Sequence, residues 1–279
     1  MKIIIGVVTH KKEQVPYHNN VFIPIGVGSA AKFHDVNDLN SGYNNYNKYY
    51  SEISGLAAIN QLSNEYDYIG LCHYRRYYML DNLNYNKSVN YIKFILSRIF
   101  GNLLKPGNFR VFGNSFELPK KKNHKAIRDF ELFVKNKLKD KKIEAIYPYP
   151  IKFSNRRIRE IFEKLSFKYI DTLEKIIIDY YPEYTDVFND VTNNCELHTC
   201  NMIILRKDWH DKYWLLMSGI LSRFDNEFSM NEMKDSPFFD KLYNRIPGYM
   251  AELITSLFIS KHFKNSSNSI KVAINEVNY

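Results

Sequence analysis

The stretch YIGLCHYRRYYML, residues 68–80, decides the fold class of this chain. It opens with an apolar run of about five residues, which is typical of a strand buried on both faces of a sheet. His73, Tyr74, Arg75 and Arg76 follow at once. In parallel α/β sheets, ligands bind where the strands end at their carboxyl edge. The stretch therefore predicts a central strand that ends in a cationic site rich in hydrogen-bond donors.

The neighbouring segments predict an α/β fold. A β-branched run at 3–8 and a weaker run at 21–30 are candidate strands, and apolar residues at helical spacing extend from Ile53 to Leu62. Strands that alternate with helices indicate a mostly parallel central sheet flanked by helices. Because no linker or repeat interrupts the pattern, residues 1–279 are expected to form one domain. Further strands are predicted at 144–150, 197–207 and 269–277, and further helices at about 155–165, 168–181, 208–224 and 248–262.

A basic segment at about 81–143 differs from this pattern. Apolar positions at helical spacing occupy 88–105, and residues 119–142 contain ten Lys or Arg against three Asp or Glu. We expect a basic helical insertion that lies over the sheet rather than in its core. Such a surface attracts nucleic acid, anionic lipid or a phosphorylated ligand. A solvated loop and helix face is the alternative that the composition leaves open.

The composition is that of a soluble globular protein, with 45% hydrophobic residues, 25% charged residues and a net charge of +9. Its three cysteines, Cys72, Cys195 and Cys200, lack the even number of a disulfide framework and the spacing of a zinc site. They predict a reducing cytoplasm. No stretch approaches the roughly 18 to 20 apolar residues that span a bilayer.

Cations and donors are expected to meet at the carboxyl edge of the sheet. Neither a GxGxxG motif nor a P-loop follows the first predicted strand, which argues against a dinucleotide-binding or P-loop protein. Arginine and histidine can neutralise a diphosphate through charge-assisted hydrogen bonds in place of a metal ion. The competing interpretation is that the two arginines pair with buried carboxylates. The candidate diphosphate-binding residues are Thr9, His10, Lys11, His73, Arg75 and Arg76.

Three segments resemble a known family. They are HDVNDLNSGYNNYNKYYSEISGLAAINQLSNEYDYIGLCHYRRYY at 34–78, CNMIILRKDWHDKYWLLMSGIL at 200–221 and NRIPGYMAELITSLFI at 244–259. Together they resemble a family of bacterial capsular-polysaccharide and exopolysaccharide synthesis proteins. That family was long described only as a domain of unknown function and later recognised as galactofuranosyltransferases. The resemblance covers both ends of the chain, and the middle third matches more loosely.

The resemblance implies a GT-A-like fold and transfer of a galactofuranosyl unit from UDP-galactofuranose to a growing glycan. Glu252 is the best candidate for the base that takes the acceptor proton in an inverting displacement, and Glu52 is the rival base or a sugar ligand. A charge that offsets the helix dipole is the alternative for Glu252. The positions that match the family are Glu52, His73, Arg75, Arg76, Asn201, Arg245, Gly248, Tyr249 and Glu252. Asn201, Arg245 and Tyr249 are expected to bind the acceptor or the sugar.

No metal cofactor is expected. Most GT-A transferases hold a metal with an Asp-x-Asp after a central strand, and this strand instead ends in CHYRRYY. If a metal is needed, Asp35, Asp225 and Glu227 are the carboxylates to consider.

The expected partners are a UDP-sugar donor and a lipid-linked glycan acceptor. The protein is expected to be cytoplasmic and to contact the inner face of the membrane, because residues 88–105 and Lys120, Lys121 and Lys122 could contact anionic lipid. Two other function classes remain open. A nucleic-acid-binding protein is suggested by the charge and by 15% aromatic residues, but no binding motif is present. A non-catalytic partner in a polysaccharide assembly complex is the other.

Overall fold

The computed structural model describes residues 1–12, 15, 17–43, 50, 52–80, 115–117, 120–153, 156–227 and 246–277. The predicted helix within 88–105, the candidate site residue Arg245 and the side chains of residues 120–122 lie outside the described part of the chain.

The described part of the chain contains both strands and helices, in the order that follows from their residue ranges. The strands are β1 (Ile3–Thr9), β2 (Phe22–Gly26), β3 (Val36–Asn37), β4 (Tyr68–His73), β5 (Arg76–Met79), β6 (Ser115–Glu117), β7 (Ala145–Pro148), β8 (Ile151–Lys152), β9 (Glu196–Leu197), β10 (Ile204–Arg206) and β11 (Ser269–Glu276). The α-helices are α1 (Glu52–Asn60), α2 (Lys120–Lys137), α3 (Ile158–Tyr180), α4 (Thr185–Asn193), α5 (Lys207–Glu227) and α6 (Ile246–His262). Short 3-10 helices cover 28–33, 63–65 and 182–184.

The central sheet has a parallel half and a mixed half. β1 pairs in parallel with β2 and β4, and β2 pairs in parallel with β3. In the other half, β11 is parallel to β6 and β7 but antiparallel to β5, while β10 is antiparallel to both β4 and β7. The expectation of a mostly parallel sheet therefore holds only for the first half. Because β5 returns from β4 through a tight turn, no crossover is available to make that pair parallel.

Successive residues of β1 explain how the sheet is covered on both faces. Ile4 and Val8 point to a cluster that includes α1, α3, α4, α5 and α6. Ile3, Ile5 and Val7 point to a second cluster, which includes α2. The side chains alternate because consecutive residues of a strand face opposite sides of the sheet. The fold is thus a sheet between two helical layers.

Two predicted elements are corrected by the structure. The helices expected at 155–165 and 168–181 are one helix, α3, because the serine between them costs a helix interior only a few tenths of a kcal/mol. The basic region was expected to lie outside the core. Instead, Ile127, Phe130 and Val134 of α2 are fully buried in the second cluster. An amphipathic helix with this apolar stripe forms a layer of the domain.

Helix α1 packs closely against β1. A Cβ atom at Gly55 would collide with the methyl groups of Val8, so glycine at this position lets the helix backbone approach the strand. None of the helices in the described ranges is both long and apolar enough to cross a bilayer.

Candidate active site at the carboxyl edge of the sheet

Several chain segments reach the carboxyl edge together. β1 and β4 run in parallel and end there at Thr9 and His73. The turn before β10 lies at the same level, because the Leu71 N–H of β4 donates to the carbonyl of Ile203. Helix α1 leads back toward the start of β4, so its first residue, Glu52, lies at this edge as well. Helix α6 contacts α1 and brings Glu252 to the same region.

The first pair in the site is Glu52 with His73. Glu52 Oε1 lies 3.7 Å from His73 Nε2, and both side chains are nearly buried. The Arg75 N–H donates to His73 Nδ1 over 3.2 Å, so Nδ1 is an acceptor and the neutral ring carries its proton on Nε2. The turn that follows β4 thereby sets the tautomer that faces the glutamate.

The second pair is the backbone N–H of Cys200, in the turn before β10, with the carboxylate of Glu252. Cys200 and Asn201 have φ angles of 71° and 51°, the left-handed region that residues with a Cβ atom rarely adopt. This conformation lets the Cys200 N–H donate to Glu252 Oε1 over 2.8 Å. Strained backbone of this kind concentrates at functional sites, where surrounding contacts hold it in place.

Asn201 is held beneath this turn. Its Oδ1 accepts a hydrogen bond of 2.9 Å from the Thr255 hydroxyl of α6, which lies 2.8 Å from the hydroxyl of Tyr213. Its Nδ2 is buried and has no hydrogen-bond partner among the residues that the structure describes. An unpaired buried donor costs about 1 to 3 kcal/mol. The group is therefore a candidate for contact with a ligand atom or water.

The Cys200 thiol lies among the charged groups of both pairs. Burial raises its pKa to about 12, with Arg76 lowering it and Glu252 and Glu52 raising it. Arg76 is the register partner of His73 between β4 and β5, so it lies at the same sheet edge as the Glu52 and His73 pair. The structure thus brings together Glu52, Arg76 and Glu252, which are far apart in the sequence. Cys200 was not predicted as a site residue, because residues 197–207 were expected to form one continuous strand.

The residues after β1 form a more open rim. His10 is exposed, and its ring lies edge-on to Tyr74 with centroids 5.2 Å apart. The Arg75 guanidinium carbon lies 5.3 Å from the same Tyr74 ring. The Thr9 hydroxyl accepts from the Lys11 N–H over 3.0 Å, so it stabilises the local turn. The ends of β1 and β4 therefore meet, as the sequence predicted.

The other candidate residues are more scattered. Tyr249 is half-buried and packs against the larger core cluster. Asp35 lines a cleft of about 300 Å³ at the outer edge of β2. Asp225 lies in the last turn of α5, where burial raises its pKa to about 6 against a hydrogen bond from Tyr50. In the described part of the chain, no group of three or more His, Cys, Asp or Glu side chains could hold a metal.

Comparison with known proteins assigns a family. A family model described as a domain of unknown function, DUF4422, matches residues 3–264. The chain belongs to this family. The match agrees with the resemblance drawn from the sequence motifs, and it spans both acidic residues of the site. Galactofuranosyl specificity stays a prediction. No curated protein sequence matches the chain at a significant level.

A solved structure supports the fold of this DUF4422 chain. The apo structure of WbbM, a bifunctional glycosyltransferase, is similar with a TM-score of 0.75 and 16% sequence identity. The match covers 100% of this chain and 46% of the WbbM chain, so the protein spans less than half of that chain. At this identity the likeness establishes the fold, a mixed α/β fold that resembles that of a glycosyltransferase. The GT-A assignment in particular stays a prediction.

Proposed function

We propose that this protein is a glycosyltransferase of surface-polysaccharide synthesis. It transfers galactofuranose from UDP-galactofuranose to a lipid-linked glycan with inversion of configuration. The observation that carries the proposal is that Glu52 with His73, Arg76 as the sheet partner of His73, and Glu252 with the Cys200 N–H all lie at the edge where α/β sheets bind ligands. The family match and the likeness to a glycosyltransferase fold support it. The choice of sugar rests on the motif resemblance alone.

Glu252 acts as the general base in this proposal. An inverting transfer needs one carboxylate that removes the proton of the attacking hydroxyl. The Cys200 N–H holds Oε1 over 2.8 Å, which orients the carboxylate so that Oε2 can face the acceptor. The Glu52 and His73 pair is nearly buried, and it is suited to binding sugar hydroxyls or to serving as the alternative base.

The cationic rim binds the donor diphosphate. Arg75 and His10 both lie against Tyr74, and Arg76 is the sheet partner of His73, whose ring lies 3.7 Å from Glu52. Guanidinium groups form charge-assisted hydrogen bonds to phosphate oxygens and stabilise the charge that develops on the leaving UDP. No metal ion is required in this arrangement.

Ligand-induced stabilisation and turnover test the proposal. We expect UDP to raise the melting temperature and short oligonucleotides to leave it unchanged. In a panel of UDP-sugars with a synthetic lipid-linked acceptor, UDP-galactofuranose should give the fastest UDP release, and NMR of the product should show the inverted anomer. Stabilisation by oligonucleotides alone would favour the nucleic-acid-binding alternative. Absence of turnover with every donor would favour a non-catalytic partner.

A further inference from the structure

A second cavity lies beside the candidate active site. It has a volume of about 120 Å³ and opens between α4, α6, β9 and the end of β7. Strand β7 is antiparallel to β10, which is antiparallel to β4, so β7 ends at the same sheet edge as β4. The part of the cavity lined by Pro150 and His198 therefore lies toward the edge that carries the candidate catalytic residues, and the lining continues along α6 to Ser260 and Lys264.

One serine connects the cavity to the candidate base. Ser256 lines the cavity and follows Glu252 by one turn of α6, about 6 Å along the helix axis. Its hydroxyl donates to the carbonyl oxygen of Glu252 over 3.0 Å and accepts from the His198 N–H over 2.9 Å. His198 is two residues before Cys200. A ligand in the cavity would thus contact the same two segments that position the Glu252 carboxylate.

His198 offers the cavity an uncharged acceptor. Its Nδ1 lies 3.0 Å from the carbonyl oxygen of Pro148, which can only accept, so Nδ1 carries the proton. Nε2 is then a bare acceptor, and it makes no hydrogen bond to the described part of the chain. Burial lowers the pKa of His198 to about 4, with Lys271 lowering it further and the Pro148 carbonyl raising it. The ring therefore stays neutral at neutral pH.

The other polar lining residues are balanced in charge. Lys264 and Lys271 face the cavity together with Asp190 and Glu196, and Ser260 adds a hydroxyl. Equal numbers of cations and carboxylates do not select a strongly charged ligand. Donors and acceptors on several walls suit a group with many hydroxyls, each of which can donate and accept.

We propose that this cavity binds an uncharged sugar residue of the acceptor glycan, next to the residue whose hydroxyl attacks the donor. The proposal rests on the proposed function and adds the place where the acceptor is held. It predicts that acceptor binding and donor binding can be changed separately.

The test uses histidine-labelled protein and two simple probes, methyl β-D-galactopyranoside and methyl α-D-glucopyranoside. The His198 NMR signals, assigned with the His198→Gln variant, should shift in a saturable way with at least one probe. Ser260→Phe fills the cavity from the exposed side and should weaken this binding at least tenfold. Ser222→Phe makes the same change at an exposed position of α5 outside the cavity lining and should bind like wild type.

A second variant tests the same cavity in case Ser260→Phe does not fold. Lys271→Ala removes an exposed donor near His198 and should weaken probe binding severalfold. UDP affinity should be unchanged in all of these variants. If the wild-type protein fails to bind UDP, that result counts against the proposed function and not against the cavity. The inference is overturned if neither probe shifts His198 at 100 mM, or if Ser260→Phe or Lys271→Ala binds as tightly as wild type.

Discussion

The two edges of the central sheet carry similar residue types in different arrangements. At the amino edge of β1 and β4, Arg206 bonds to Asp208 over 2.7 and 2.8 Å and to Glu144 over 3.1 Å. Asp67 accepts from Lys141 over 2.7 Å and from the Lys2 N–H over 2.7 Å. These short contacts lie at the surface, where each ion pair contributes at most about 1 kcal/mol. The amino edge resembles an ordinary stabilising network.

The carboxyl edge is arranged differently. Its Glu52 and His73 pair is nearly buried and longer, at 3.7 Å. Two consecutive residues have left-handed backbone, and within the described ranges the Nδ2 atom of Asn201 has no hydrogen-bond partner. A site that must bind a substrate keeps such features because the ligand completes them. This difference shows that burial and backbone geometry, more than residue type, distinguish a candidate site from a surface network.

The largest effect should follow a change of Glu252. Glu252→Gln keeps the shape and the Cys200 hydrogen bond but removes the base, so we expect kcat to fall at least about 100-fold with UDP affinity nearly unchanged. Glu144→Gln makes the same change at the amino edge and should leave kcat within about twofold. Near-normal turnover of Glu252→Gln would transfer the role of base to Glu52.

Replacing one arginine at each edge should lower UDP affinity at the carboxyl edge and leave it unchanged at the amino edge. Arg76→Ala removes a charge-assisted hydrogen bond to the diphosphate, which contributes roughly 1.5 to 3 kcal/mol, so UDP should bind roughly 10- to 100-fold more weakly. Arg206→Ala should leave UDP affinity unchanged. Isothermal titration with UDP measures both. Equal losses in the two variants would show that the effect comes from net charge or misfolding.

Asp67 at the amino edge and Asp225 in the last turn of α5 should respond oppositely to pH. Hydrogen bonds from Lys141 and the Lys2 N–H lower the pKa of Asp67, so its stabilising contribution is present above its ordinary value of 3.8 and is lost as pH falls through the folded pKa. Burial raises the pKa of Asp225 to about 6, so its contribution is present below pH 3.8 and is lost as pH rises through 6.

Melting temperatures of two matched variants measure this difference. At pH 8, Asp225→Asn should raise Tm by about 3 °C, which corresponds to about 1 kcal/mol after allowance for partial exposure. Asp67→Asn should lower Tm by about 1 °C at the same pH. Both differences should shrink near pH 4. A lower Tm for Asp225→Asn at pH 8 would contradict the assignment of a destabilising buried carboxylate.

The smallest effect is expected from metal removal. If arginine and histidine alone neutralise the diphosphate, EDTA should leave the rate within about twofold. A control sample dialysed against the same buffer without EDTA shows how much activity is lost for reasons other than metal removal. Complete loss of activity that manganese restores would reject the proposal of a metal-independent site and direct attention to Asp35, Asp225 and Glu227.

Much of the fold could be predicted locally. The buried runs of β1 and β4 and the helical spacing of α1 and α6 appear at or near their expected positions, because hydrophobic periodicity is a property of short windows. Strand direction was harder. Whether β10 runs antiparallel to β4 depends on the pairing of distant strands, and periodicity carries no information about that. β5 follows β4 directly, but no strand was predicted after the cationic block.

The position of α2 shows a second limit. The ten Lys or Arg against three Asp or Glu in residues 119–142 suggested a surface insertion, yet Ile127, Phe130 and Val134 form a buried stripe against the sheet. Charge dominates the composition of the segment, whereas burial depends on the spacing of a few apolar residues along one helical face.

By itself the sequence determined that the chain has an α/β sheet and that β4 ends in a cationic block, since both follow from neighbouring residues. It also supplied the motifs that resemble the family. Only the tertiary structure decided that Glu52 meets His73, whose sheet partner is Arg76, and that the Cys200 N–H orients Glu252. The physical reason is that these residues belong to helices, a strand and a turn far apart along the chain, and only the packing of those elements on the sheet brings their side chains within reach of one another.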